Sequence, residues 1–207
     1  MQIKSISVPA TTKNEPTGLI ILLHGWGANA NDLESLARPL NFPDYRFEFP
    51  DAPFPHPMVA WGKMWYDLEN AQYEGLAESR QLLTEWLTSL ETETGVPLER
   101  TILGGFSQGG AMSLDLGLTL PLAGVVSMSG YLHSKPQGSG EGLPPILMVH
   151  GRQDPVVPLE AAKRSLDSLT AAGSRVRYQE FDMGHEISME ELELVRTFIE
   201  EVMPEDV

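Results

Sequence analysis

The stretch that decides the fold is TILGGFSQGGAM, residues 101–112. Its first half, Thr101–Phe106, reads as a strand, and Gln108–Thr119 reads as a helix that is apolar nearly all round. Between them, Gly105-Phe106-Ser107-Gln108-Gly109 forms a G-x-S-x-G pattern. Three fixed residues at roughly 7% each give about 0.07 chance matches in a chain of this length, so context must decide. Here a strand runs straight into the turn and a helix runs straight out. That is the setting in which a sharp turn lifts a serine hydroxyl above a sheet. Side chains flanking such a turn would collide, which accounts for its glycines. The helix N-terminus beneath favours developing negative charge. The alternative reading is a glycine-rich turn that only packs helix on strand.

On either side, short β-rich runs alternate with helical patterns. Leu19–Leu23 is continuously apolar, as befits a strand buried on both faces, and Arg46–Phe49 is a weaker strand. Leu76, Leu83, Leu87 and Leu90 recur at helical spacing, with Gly95 and Pro97 as the stop. Leu122–Met128, Ile146–His150 and Val176–Phe181 read as strands. Ala162, Leu166 and Leu169 mark a helix closed by Gly173. Ser188 and Glu191 form a capping-box pattern ahead of Leu192, Val195, Ile199 and Val202. This rhythm predicts an α/β fold: a mostly parallel central sheet with helices on both faces. Reactive groups in such sheets sit beyond the carboxyl ends of the strands.

The 207 residues suit one domain spanning 1–207, and KPQGSGEG at Lys135–Gly142 is too short for an interdomain linker. Cysteine is absent, which excludes disulfides, a thiol nucleophile and Cys-ligated metals. With 14 Lys and Arg against 29 Asp and Glu, the formal charge is −15. Such a chain repels nucleic acid phosphates and anionic lipid surfaces, so neither nucleic acid binding nor stable membrane insertion is expected. Its apolar runs fall far short of the roughly 20 residues of a membrane helix. The first residues, MQIKSISVPATTKNEP, have no apolar core of a secretory signal, so a cytoplasmic location is expected. Whether the chain forms a homodimer is left open.

A serine hydroxyl needs a positioned base, and in folds with this elbow an acid and then a histidine follow the serine. Three histidines follow Ser107. His150 ends a strand and precedes the best acid, and His133 has no suitable acid upstream. His185, in FDMGHEI, follows a strand and precedes a capped helix, where a base must hang. Of the intervening aspartates, Asp115 and Asp167 fall inside helices and Asp182 is only three residues from His185. Asp154, in HGRQDPVVP, directly follows a strand and is assigned as the group that orients His185. Taken singly, Asp154 also reads as a turn or capping residue and His185 as a surface-loop histidine.

Attack on a carbonyl creates an oxyanion that needs aimed donors. The backbone N–H groups of Gln108, at the helix start, and Trp26, in the LIILLHGWGAN loop, are the expected pair. His24 reads as a structural pin for that loop. Phe54, Met58, Val59, Trp61, Met64, Trp65 and Tyr66 crowd one Pro-rich loop region. Such residues either line a concave binding site or cap the core. Phe54, Met58, Trp61, Met64 and Trp65 are taken as substrate-binding candidates, together with Val157 beyond Asp154.

The segments ILLHGWG, PDAPFPHP, GKMWYDL, GGFSQGGAM, HGRQDPVVP and FDMGHEI, in this order from about residue 20 to 190, resemble the carboxylesterase/acyl-protein thioesterase branch of the α/β-hydrolases. The resemblance implies an α/β-hydrolase fold and cleavage of carboxylic esters or thioesters through an acyl-serine intermediate, with no metal or organic cofactor. It carries the nucleophile to Ser107, the acid to Asp154, the base to His185 and the oxyanion donors to Trp26 and Gln108. Many relatives have Leu where Trp26 stands, so an indole is expected beside the acyl site. The stretch after WYDL looks shorter than in eukaryotic thioesterases. The expected activity is therefore a serine esterase acting on small apolar or neutral esters. The alternatives are an acyl-protein thioesterase or lysophospholipase, and a catalytically silent ligand-binding relative.

Overall fold

The computed structural model describes residues 2–12, 15–134, 136 and 142–203. Most of the Lys135–Gly142 stretch lies outside the described residues. In chain order the elements are β1 (Ser5–Val8), β2 (Gly18–Leu23), α1 (Ala30–Glu34), α2 (Ala37–Leu40), β3 (Tyr45–Pro50), β4 (Phe54–Pro55) and β5 (Lys63–Met64). Then follow α3 (Leu76–Thr94), β6 (Thr101–Phe106), α4 (Gln108–Gly117), β7 (Gly124–Met128), β8 (Ile146–Gly151), α5 (Leu159–Ala171), β9 (Val176–Phe181) and α6 (Met189–Val202).

Seven strands form one sheet in the order β1, β3, β2, β6, β7, β8, β9. All neighbours run parallel except β1, which pairs antiparallel with β3 at the edge. β2 is apolar throughout because both of its faces are covered. Leu19, Ile21 and Leu23 pack with Leu83, Leu87 and Leu90 of α3 and Met112 of α4. Ile20 and Leu22 face the other way, toward Leu33 of α1, Leu40 of α2 and Val195 and Phe198 of α6. The alternation of Cβ directions along a strand produces this split, and two cores result. The fold is that of the α/β-hydrolases, a mostly parallel sheet with helices on both faces. No described helix is long and apolar enough to cross a membrane.

The chain order creates a switch point at the middle of the sheet. From β2 the chain moves outward to β3, then returns to β6 on the opposite side. Leu23 of β2 lies opposite Gly105 of β6, so the loops after these strands share one crevice. At the other pairing that matters, Gly151 of β8 lies opposite Phe181 of β9. The loops bearing Asp154 and His185 therefore leave the sheet side by side.

Some elements depart from expectation. β7 begins at Gly124 rather than Leu122, because the Leu122 N–H turns back to the Leu120 carbonyl at 2.9 Å. α4 ends at Gly117 rather than Thr119. β1, α1, α2 and the β4–β5 hairpin carry too little periodicity to be read from sequence. α3 stops where Gly95 adopts φ 73°, its N–H bonding the Glu91 carbonyl.

The capping box of α6 is present but unusual. Ser188 accepts the Glu191 N–H at 3.1 Å, and Glu191 reaches back to the Ser188 N–H. The Glu191 carboxyl is wholly buried, and Oε1 has no partner among the described residues. Burial lifts its pKa to about 8 against an ordinary value of 4.5, despite the opposing Ser188 hydrogen bond. The unfolded chain thus loses this proton near 4.5, whereas the native state keeps it to about 8. Its cost to stability grows as pH rises through that window and is constant above it. Glu191→Gln keeps the cap without the charge. It should match the parent protein below pH 4.5 and exceed it by up to a few kcal/mol at pH 9, as urea denaturation at both pH values will measure.

Candidate active site

Ser107 joins β6 to α4 with φ 56° and ψ −116°. A non-glycine residue in this region typically stores about 1–3 kcal/mol of strain, which the surroundings must hold in place. The Ser107 N–H donates to Met128 O at 2.8 Å, and the Ser107 carbonyl accepts the Ala111 N–H at 3.0 Å. The glycines at 105 and 109 have a steric cause. A Cβ on Gly109 would lie 2.0 Å from the Leu23 carbonyl oxygen, and one on Gly105 would lie 2.4 Å from the backbone of Gly109. Helix α4 is thus pressed against the ends of β2 and β6. On the facing loop, a Cβ on Gly25 would stand 3.3 Å from Ser107 Cβ.

His185 Nε2 lies 2.9 Å from Ser107 Oγ, and His185 Nδ1 lies 2.7 Å from Asp154 Oδ2. The carboxylate fixes the proton on Nδ1, which leaves Nε2 free to accept the serine hydroxyl. The other Asp154 oxygen accepts the Val156 and Val157 N–H groups at 2.8 and 2.9 Å. Burial alone would raise the Asp154 pKa. The hydrogen bonds from His185, Val157 and Val156 outweigh it and hold the carboxyl below its ordinary range. Asp154 is therefore an anion at neutral pH, beside the ring it must steady. His150 closes the back of this loop, its Nε2 2.8 Å from the Val157 carbonyl.

Asp182 and Asp115 are engaged elsewhere. Asp182 pairs with Arg152 at 2.7 Å. Asp115 does lie within a helix, yet it meets His133 Nδ1 at 2.6 Å and Arg80 Nε at 3.0 Å. His133 therefore has an upstream acid, contrary to expectation. Pattern reading missed it because a helix residue reaches a loop ring only through tertiary packing.

Two backbone N–H groups flank the elbow without a protein acceptor among the described residues. Gln108 opens α4, where N–H groups have no intrahelical acceptor. The Trp26 N–H follows Gly25 and has no acceptor among the described residues. Their loops are pinned from behind. His24 Nδ1 meets the Gly25 carbonyl at 2.8 Å, and its Nε2 accepts the Ala52 N–H at 3.0 Å. Burial lowers the His24 pKa, which suits this neutral, two-bonded ring. The Gln108 side chain is a strut missed by sequence reading. Its Oε1 accepts the Trp65 N–H at 2.9 Å, and its Nε2 donates to the Tyr66 carbonyl at 2.7 Å.

A cavity of about 590 Å³ opens beside Ser107. Its walls come from the segment after β5 (Leu68, Tyr73), the loop after β7 (Tyr131, Leu132, His133) and the start of α5 with its preceding loop (Val156, Val157, Pro158, Ala161, Arg164). Of the expected substrate-binding residues, only Val157 lines it. Trp65 is fully buried and donates its indole N–H to the His24 carbonyl at 2.9 Å, so it supports the elbow rather than a ligand. Met58 and Trp61 are 83% and 90% exposed at the tip of the β4–β5 hairpin. Phe54 and Met64 pair across that hairpin, with the Phe54 ring seated over Gly75. The Trp26 indole packs edge-on against His56 at 4.3 Å and does not line the cavity. An apolar loop signalled local crowding; the cavity walls come from three separated segments, and only their position beyond strand ends could have marked them.

This fold, with a hydroxyl, an imidazole and a carboxylate converging at its switch point, defines a serine hydrolase. The family model for phospholipase/carboxylesterase matches residues 5–203, and the chain belongs to that family. Acyl-protein thioesterase 1 of Neurospora crassa is 33% identical, over 95% of this chain and 91% of its own length. Its namesake in Gibberella zeae is 31% identical, over 98% and 97%. The crystal structure of esterase PE8 superposes with a TM-score of 0.89 at 31% identity, over 98% of this chain and all of that one.

The close approach of α4 to β2 makes a direct prediction. Gly109→Ala should destabilise the protein by about 3 kcal/mol or more, because its methyl meets the rigid backbone of Leu23 and His24. Thermal denaturation of the variant measures the loss, and an unchanged melting temperature would contradict the packing described.

Proposed function

We propose that the protein is a serine esterase that cleaves small-molecule carboxylic esters through an acyl-Ser107 intermediate. One observation carries this reading: the Ser107 Oγ to His185 Nε2 contact of 2.9 Å, in line with the 2.7 Å contact to Asp154. Ser107 Oγ attacks the carbonyl carbon as its proton passes to His185 Nε2. The oxyanion accepts the N–H groups of Trp26 and Gln108. Each such donor is typically worth about 2.7–4 kcal/mol to the transition state. His185 then gives its proton to the departing alcohol, and the acyl group remains on Ser107. Water enters, loses a proton to His185 and attacks the acyl carbon. Collapse returns that proton to Ser107 and releases the acid.

A thioesterase reading uses the same groups with a thiol as leaving group. The two fungal relatives named acyl-protein thioesterase 1 favour it. The mixed polar and apolar lining of the cavity favours the small ester. A panel of short and long acyl esters against an acyl thioester separates the two.

Ser107→Ala should abolish hydrolysis and labelling by a fluorophosphonate probe, with the fold intact by circular dichroism. Retention of most of the esterase activity would refute the assignment. Asp154→Asn should lower kcat by roughly 10³–10⁴-fold by releasing the tautomer of His185, with a much smaller change in KM. Steady-state kinetics on one chromogenic ester measures both.

A further inference from the structure

The cavity beside Ser107 differs from the chain that builds it. The protein carries 29 acidic residues against 14 basic ones. Yet among the described residues no carboxylate lines this cavity, and Arg164 does. Arg46, Arg80, Arg152, Arg177 and Arg196 each hold a carboxylate within 4 Å. Arg38, Arg164 and Arg175 have no ion pair among the described residues, and of these Arg164 lines the cavity, although Glu160 and Asp167 stand one turn away on α5. The preceding residue, Lys163, points elsewhere and meets Glu180 at 3.4 Å. An arginine left unpaired in so acidic a chain, at the rim of the reactive cavity, is placed to receive an anion from outside.

The rest of the lining is compatible with this. Val156, Val157, Pro158, Leu132 and Leu68 form apolar walls. Tyr131 also lines the cavity, and burial raises its pKa, so it presents a neutral phenol. Ser165 spends its hydroxyl within the protein, donating to the Ala161 carbonyl and accepting the Leu132 N–H at 2.8 Å each. The guanidinium is thus the charge that a bound substrate meets. The net charge of −15 acts at long range and is screened within about 10 Å at 0.1 M salt, whereas a forked, charge-assisted contact is local.

We propose that Arg164 binds an oxyanion group carried on one arm of the substrate, so that the preferred esters are anionic rather than neutral. This rests on the esterase reading above and names its substrate class. The shared chemistry is a carboxylate or phosphate separated from the scissile carbonyl by an apolar spacer that lies along Val157, Pro158 and Ala161.

The test uses matched pairs of esters of equal length. On the acyl arm, 4-nitrophenyl hydrogen adipate is compared with its methyl ester. On the alcohol arm, 4-(butyryloxy)butanoate is compared with its methyl ester by pH-stat titration. In one of the two series, the ratio of kcat/KM for the anionic to the neutral ester should exceed one at low salt. That ratio should drop about tenfold or more in Arg164→Gln, recover in part in Arg164→Lys, and decline with added salt. Whichever series responds identifies the arm that carries the anion. Ratios below one in both series, or ratios unmoved in Arg164→Gln, overturn the proposal. Calorimetric binding of adipate and of inorganic phosphate to Ser107→Ala, with and without Arg164→Gln, judges the arginine without turnover. Weaker binding in the double variant is expected, and equal binding overturns the proposal. Loss of all ester cleavage and of fluorophosphonate labelling would sink the esterase reading alone.

Discussion

Everything at this site depends on how closely helix α4 approaches the end of β2. The Leu23 carbonyl lies so near position 109 that no side chain fits between them. That contact aims the first turn of α4 at the crevice, forces Ser107 into a positive φ and presents the Gln108 N–H beside the hydroxyl. The strain at Ser107 is therefore the local cost of turning its hydroxyl toward His185, and two covered faces of a parallel sheet hold it.

The remaining groups arrive by register. Parallel strands end on one edge, so loops after β2, β6, β8 and β9 meet without any segment crossing the core. Asp154 is held by two backbone amides as well as by His185, which keeps it charged in a buried setting. His24 and His150 take structural bonds behind the two loops that matter most. Three of the five histidines (24, 150 and 185) thus serve one site, in different ways.

Much of this was legible in the sequence because it is local. A continuous apolar run announces a strand covered on both faces, as at Leu19–Leu23. Glycines around a serine between strand and helix announce the elbow. Asp154 and His185 stand out because each follows a strand within a few residues. What was not legible is what packing decides. Trp65 reads as a pocket aromatic, yet its indole and amide N–H groups both find acceptors inside, in His24 and Gln108. Asp115 reads as a helix residue facing away, but it holds His133 across a loop. The cavity walls come from three stretches far apart in the chain, none with a periodic signature. β1 is a half-covered edge strand of four residues, too short and too mixed to register as a pattern.

Gln108 has a consequence for how this scaffold changes. Its main chain opens α4 directly after Ser107, while its amide clasps the backbone of Trp65 and Tyr66, at the foot of the β4–β5 hairpin. The hairpin and the elbow are one mechanical part. Transplanting the hairpin from a relative, or trimming it, means refitting position 108 as well. Variation in this region must therefore be inherited as a set, and chimeras cut between residues 66 and 108 will separate partners that were shaped together.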